Sequence, residues 1–187
     1  MNSRRMILIS TIILLAAGAG CKANAKTPSI DRTTVGTLNL KRYMGRWYEI
    51  ARFDHSFERN LEQCEAFYTL MPNGDISVAN SGVNIKNGKK KVTYGKAKLG
   101  DRVGQLRVSF FLMFYSDYNI LALDDNYEWA LVGSKSPKYL WILSRRPMIS
   151  EEKYNHIVEI AARRGYDVSK LHRVSQLATS SRYDNIE

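Results

Sequence analysis

The chain has 187 residues, 44% of them hydrophobic and 11% aromatic, which is an ordinary globular composition for one domain with a leader and a tail. Its formal charge of +10 falls to +8 without Arg4 and Arg5, so it suits anionic partners such as phosphate headgroups, or describes a merely soluble surface. Two cysteines, Cys21 and Cys64, are too few for a disulfide framework, so the core must be large enough to stand without staples.

Residues 1–20 read as a secretory leader, with Arg4 and Arg5 ahead of an apolar run from Met6 to Ala17. That run is shorter than the roughly 20 residues a bilayer span needs. Two processing sites compete. Gly18-Ala19-Gly20-Cys21 resembles a bacterial lipoprotein box, in which Cys21 would be diacylated, and Lys22 after it points by resemblance to outer-membrane sorting. The alternative, cleavage after Ala25 in Ala23-Asn24-Ala25, gives a secreted or periplasmic protein. Residues 21–37 are polar and patternless, and are expected to be a lipidated N-terminus and tether.

From there the chain alternates apolar and polar residues between turn signals. Strands are expected at 46–54, 64–71, 75–83, 90–99, 105–111, 118–124, 127–133 and 138–145. Eight strands with short connections fit an all-β, up-and-down antiparallel sheet, and eight is a number that closes into a barrel holding one small ligand. After Pro147 the period changes. Ser150 is a good N-cap, Glu151 and Glu152 suit a helix first turn, and Tyr154, Ile157, Val158 and Ala161 form one apolar face before Arg163, Arg164 and Gly165 close it. One helix cannot cover both faces of such a sheet, so closure is favoured, with the helix packed outside. A short strand at 171–175 and a flexible tail at 176–187 complete the expectation.

Three blocks stand out in order. Gly45-Arg46-Trp47 opens the first strand, Asp124 and Tyr127 lie at the turn after the sixth, and Arg145 closes the eighth. Together they resemble the lipocalin signatures. The wider context, including Tyr118-Asn119-Ile120-Leu121-Ala122-Leu123-Asp124, resembles the bacterial outer-membrane lipocalins, relatives of apolipoprotein D. The resemblance places the domain at residues 38–175. It implies a carrier of fatty acids or lysophospholipids, lipid-anchored in the outer membrane, with dimerisation open and no nucleic-acid partner. It also implies that Gly45, Trp47, Asp124 and Arg145 are structural and close the bottom of the barrel, with Arg145 lying over Trp47.

With that floor fixed, alternation places a ligand site. The inward phase gives Glu49 and Ala51 on the first strand, Tyr68 on the second, Val78 and Asn80 on the third. It continues with Val108 and Phe110 on the fifth, Tyr118 and Ile120 on the sixth, and Tyr139 and Trp141 on the eighth. A slip or bulge inverts any of these assignments. The loops after the first, third, fifth and seventh strands then form the mouth, which carries Lys86, Lys89, Lys90 and Lys91 and the apolar run Phe111-Leu112-Met113-Phe114-Tyr115. Glu49 in an apolar cavity should be protonated or paired, with Arg107, Arg145 or a tyrosine hydroxyl as partner. His55, His156 and His172 have no metal-ligand spacing, and neither a cofactor motif nor a catalytic constellation stands out. Two alternatives remain: an isomerase using Cys64 as nucleophile, and a structural envelope lipoprotein with a vestigial pocket.

Overall fold

The computed structural model describes residues 29–177; the leader, Cys21, the Ala25 site and residues 178–187 lie outside them. One helical turn, α1 (Leu40–Tyr43), precedes eight strands: β1 (Gly45–Phe53), β2 (Leu61–Leu70), β3 (Ile76–Asn84), β4 (Lys90–Leu99), β5 (Gln105–Ser109), β6 (Ser116–Leu123), β7 (Trp129–Gly133) and β8 (Leu140–Ser144). Helix α2 (Glu151–Arg163) and a short β9 (Leu171–Arg173) follow. Each of the eight strands pairs antiparallel with its neighbour, and β1 pairs with both β8 and β2, which closes the barrel.

The closure is uneven, and this shapes the site. On the β2 side, β1 is paired only from Gly45 to Tyr48. Beyond that the strands part, and β9 takes over the free edge opposite Ala51 to Phe53. The chain continues into the gap: Val174 N–H donates to the Ile50 carbonyl, and Gln176 Nε2 donates to the carbonyls of Glu49 and Cys64 at 2.8 and 3.0 Å. Backbone groups that a divergent pair would orphan are thereby satisfied. Residues 174–177 are thus a plug in the wall.

Three β-bulges interrupt the ladders, between Glu49 and Ala51, Glu62 and Glu65, and Ile120 and Ala122. Each adds a residue and inverts the phase beyond it. Ala51, expected inward, therefore faces outward under α2 together with Ile50, and Ala122 packs there as well. Arg52 takes the inward place that Ala51 was expected to share.

Apolar side chains form two layers. Outside the barrel, Ile50, Phe53, Leu121, Leu131 and Ile142 pack against Tyr154, Ile157 and Ala161 of α2. Ser150 caps that helix by accepting from Lys153 N–H, as expected. Inside, Tyr43, Trp47, Ile76, Leu106, Ile120 and Ala130 fill the lower half of the barrel. Full burial of each large side chain contributes about 1.5–3 kcal/mol.

Residues 29–39, read as the end of a tether and its approach to the barrel, run across the floor instead. Val35 N–H donates to the Ile120 carbonyl at 2.9 Å, and Asp31 pairs with Arg164 of the α2 C-terminus at 3.0 Å. Gly104 (φ +74) accommodates this crossing, since a Cβ there would stand 2.7 Å from Val35 Cγ2. Strand β7 starts two residues later than expected because Tyr127 takes φ 64 in the turn, and β5 stops at Ser109.

Candidate functional site

Trp47 is fully buried at the barrel floor, and its Nε1 donates to the Tyr43 carbonyl at 2.8 Å. The Arg145 guanidinium lies 3.8 Å from the centre of the Trp47 ring, close enough for a cation–π contact. It also donates to the carbonyls of Arg42 and Arg46, both at 2.6 Å, of Tyr43 at 3.1 Å and of Tyr127 at 3.3 Å. One side chain therefore ties α1, β1 and the β6–β7 turn together. Asp124 holds that turn by accepting from the N–H groups of Asn126 and Glu128. Gly45 (φ +90) completes the closure with a backbone conformation that suits glycine.

Above the floor three tyrosine hydroxyls meet. Tyr43 and Tyr118 are 2.7 Å apart, and Tyr68 donates to Tyr118 at 3.3 Å. Burial raises the pKa of all three, Tyr68 to about 12, so they remain neutral. Two bonds among three hydroxyls leave one O–H proton uncommitted.

The calyx above them has a volume of about 460 Å³. Of the residues expected inward, Glu49, Tyr68, Val78, Asn80, Val108, Phe110, Tyr118 and Trp141 line it. Ile120 points inward but lies below, in the floor core. Tyr139 stands behind the wall, its ring stacked on Trp141 with centres 5.9 Å apart, and Ala51 is excluded by the β1 bulge.

The polar feature of the wall is a cluster that alternation did not foresee. Arg52, only 1% exposed, donates to Glu49 Oε1 at 2.7 Å and to the carbonyls of Glu58 and Leu61 at 2.9 and 3.0 Å. Arg52 is thus the partner of Glu49, in place of Arg107, which pairs with Asp117, or Arg145, which holds the floor. Glu58 Oε2 accepts from Trp141 Nε1 at 3.2 Å and lies 3.1 Å from His55 Nε2. Burial, reinforced by the Glu58 carboxylate, lifts the Glu49 pKa to about 8 against the pull of Arg52. Burial works against the charge of Arg52, yet Glu49 beside it holds the guanidinium proton more tightly than usual. The signal for this cluster was present. Glu49 and Arg52 are two opposite charges inside an apolar strand, three apart, and they can share a side only across a bulge.

The profile of the lipocalin-like domain matches residues 38–176. This chain is a lipocalin. It is 45% identical to the outer membrane lipoprotein Blc of Escherichia coli K12 over 155 residues, which cover 82% of this chain and 88% of that one. Against the protein of the same name from Vibrio cholerae it is 38% identical over 176 residues, 92% of this chain and 99% of the relative. Among solved structures, insecticyanin from the tobacco hornworm Manduca sexta superposes with a TM-score of 0.66 at 20% identity, over 83% of this chain and 88% of that one. That likeness concerns the fold.

Cys64 of this lipocalin lines the calyx beside Arg52, its Sγ 4.0 Å from Arg52 NH1. Burial pushes its thiol pKa well up, and Glu49 pushes it further, the reverse of what an activated nucleophile requires. Among the described residues no group of three or more His, Cys, Asp or Glu is placed to hold a metal ion. The rim of the lipocalin is apolar on one side. Phe111, Leu112, Met113 and Phe114 are all about 70% exposed, with Phe111 and Phe114 stacked. On the β3–β4 side it is basic, with Lys86, Lys89, Lys90 and Lys91 exposed; Lys90 is drawn to Glu65 at 3.8 Å, and Lys91 lines the cavity.

Proposed function

We propose that this lipocalin binds single-chain lipids, fatty acids and lysophospholipids, and carries or stores them in the bacterial envelope, held to the outer membrane by acylation of Cys21. The observation that carries the reading is the calyx of about 460 Å³, walled by Val78, Val108, Leu143 and aromatic rings, with the Tyr68 and Tyr118 hydroxyls at its base. This is the size and lining of a site for a small apolar molecule with a few polar anchors. The names of the E. coli and V. cholerae relatives support the outer-membrane location. Binding is preferred to catalysis because the one thiol in the cavity is held protonated.

Native mass spectrometry of the lipoprotein, extracted gently from its host, tests both halves. The expected result is a diacylglyceryl modification at Cys21 and a retained single-chain lipid of unchanged mass after incubation. An empty barrel would favour a structural role, and a converted lipid lost on Cys64→Ser would favour an enzyme.

The rim lysines are assigned to the anionic part of a headgroup. Changing Lys86, Lys89, Lys90 and Lys91 together to serine is expected to weaken palmitate binding by about 3–10-fold, from several screened contacts of up to ~1 kcal/mol each. A neutral monoacylglycerol should change by less than about twofold on the same scale. Equal losses for the two lipids would remove the lysines from headgroup recognition.

A further inference from the structure

Glu49 and Glu58 reach the calyx from different elements, β1 and the β1–β2 connection, and each has one oxygen engaged behind the wall. Arg52 takes Glu49 Oε1, while Trp141 Nε1 and His55 Nε2 lie beside Glu58 Oε2. Among the described residues no donor reaches Glu49 Oε2 or Glu58 Oε1, although Glu49 is only 6% exposed and both side chains line the cavity. Arg52 does not offset them from the cavity side. Its NH2 is bound to two carbonyls, its NH1 to Glu49, and its Nε lies 4.0 Å from Glu58 Oε2, so the guanidinium is engaged within the cluster and Arg52 does not itself line the cavity. Arg52 balances one carboxylate of the pair, and the oxygens left open, Glu49 Oε2 and Glu58 Oε1, are hydrogen-bond and cation acceptors on this side of the calyx, whereas the rim lysine that lines the cavity, Lys91, comes from β4.

Aromatic rings frame the carboxylates. Phe57, half exposed, and Trp141 line the same side. His55 stacks on Phe57 at 3.8 Å, which fixes the Phe57 ring from behind. Carboxylate oxygens without donors, set among ring faces whose quadrupoles are negative, attract an ammonium and repel a bare anion.

We propose that Glu58 and Glu49, framed by Phe57 and Trp141, form a subsite for the ammonium group of a zwitterionic single-chain lipid, whose phosphate turns toward Lys91. The inference rests on the lipid-carrier reading and narrows it: of two lipids with one tail, the one ending in ammonium is held more tightly.

The test compares palmitoyl lysophosphatidylcholine, palmitoyl lysophosphatidic acid and palmitate, each below its aggregation threshold, by intrinsic tryptophan fluorescence and calorimetry. Wild-type protein should prefer the choline lipid over the phosphate-only lipid about tenfold, as expected of a partly desolvated cation–π and ion contact. Glu58→Gln, which keeps an acceptor for Trp141, and Phe57→Leu, at a half-exposed position, should each reduce that ratio at least threefold, roughly 0.7 kcal/mol. A wild-type ratio at or below one, or a ratio unchanged in both variants, overturns the proposal. If palmitate binds and the choline lipid has no advantage, the ammonium subsite fails and the carrier reading stands. If none of the three binds, both fail.

Discussion

Replacing Arg145 with methionine is expected to lower the unfolding free energy by about 2–4 kcal/mol in urea denaturation. The cation–π contact with Trp47 contributes ~1–2 kcal/mol where shielded. Four carbonyls, those of Arg42, Tyr43, Arg46 and Tyr127, lose a charged donor. Each such bond contributes ~0.5–1.5 kcal/mol net, less where water can replace it. Methionine covers the Trp47 ring with apolar atoms and so isolates the polar loss. Lysine at the same position keeps the charge without the planar fork, and should fall between methionine and the wild type. Because Arg145 joins α1 to the β6–β7 turn, hydrogen exchange should rise first in residues 40–46 and 124–129. A loss of stability with those segments still protected would mean that Arg145 acts through the Trp47 ring alone.

Much of this architecture was legible because barrel strands carry their own evidence. Period-two alternation located all eight, and the backbone turns at Asn73-Gly74 and Asn87-Gly88, with positive φ at both glycines. Trp47 and Arg145 were legible as a pair because an arginine ending an apolar strand needs an acceptor surface, and a buried indole face supplies one. The bulges were not legible. At β2 the positive φ falls on Asn60 and Gln63 rather than on glycine, so composition gives no warning. At β1 the extra residue lies within Ile50-Ala51, two apolar residues that fit either face of the wall. Alternation therefore carried Ala51 inward and turned Arg52 outward. The packing of residues 29–39 escaped for a different reason. Their polar side chains look like a linker, while the contacts that hold them are main-chain bonds to Ile120 and Arg164 and isolated side-chain pairs such as Asp31–Arg164, which leave no periodic pattern.

The second large effect is expected at Arg52. Arg52→Leu removes the counter-ion of buried Glu49 and the donor that holds the carbonyls of Glu58 and Leu61. Breaking a buried pair from one side costs about 3–5 kcal/mol, a loss that applies in full above about pH 8, where Glu49 is ionised and its carboxylate is left without compensation. Adding Glu49→Gln should recover a substantial part, since no unpaired charge then remains, and the double-mutant cycle measures the coupling. Glu49 alone also sets a pH dependence. Its folded-state pKa is raised to about 8 from an ordinary 4.5, so between those values the native state binds more protons than the unfolded chain. Stability from this group is therefore complete below about pH 4.5 and is lost as pH rises toward about 8, at no more than ~1.4 kcal/mol per pH unit. Relative to Glu49→Gln, which cannot titrate, the wild type should lose stability steadily from about pH 5 to 8. Parallel curves for the two proteins over that range would mean that Arg52 keeps Glu49 ionised throughout, and that the calyx wall holds a fixed ion pair.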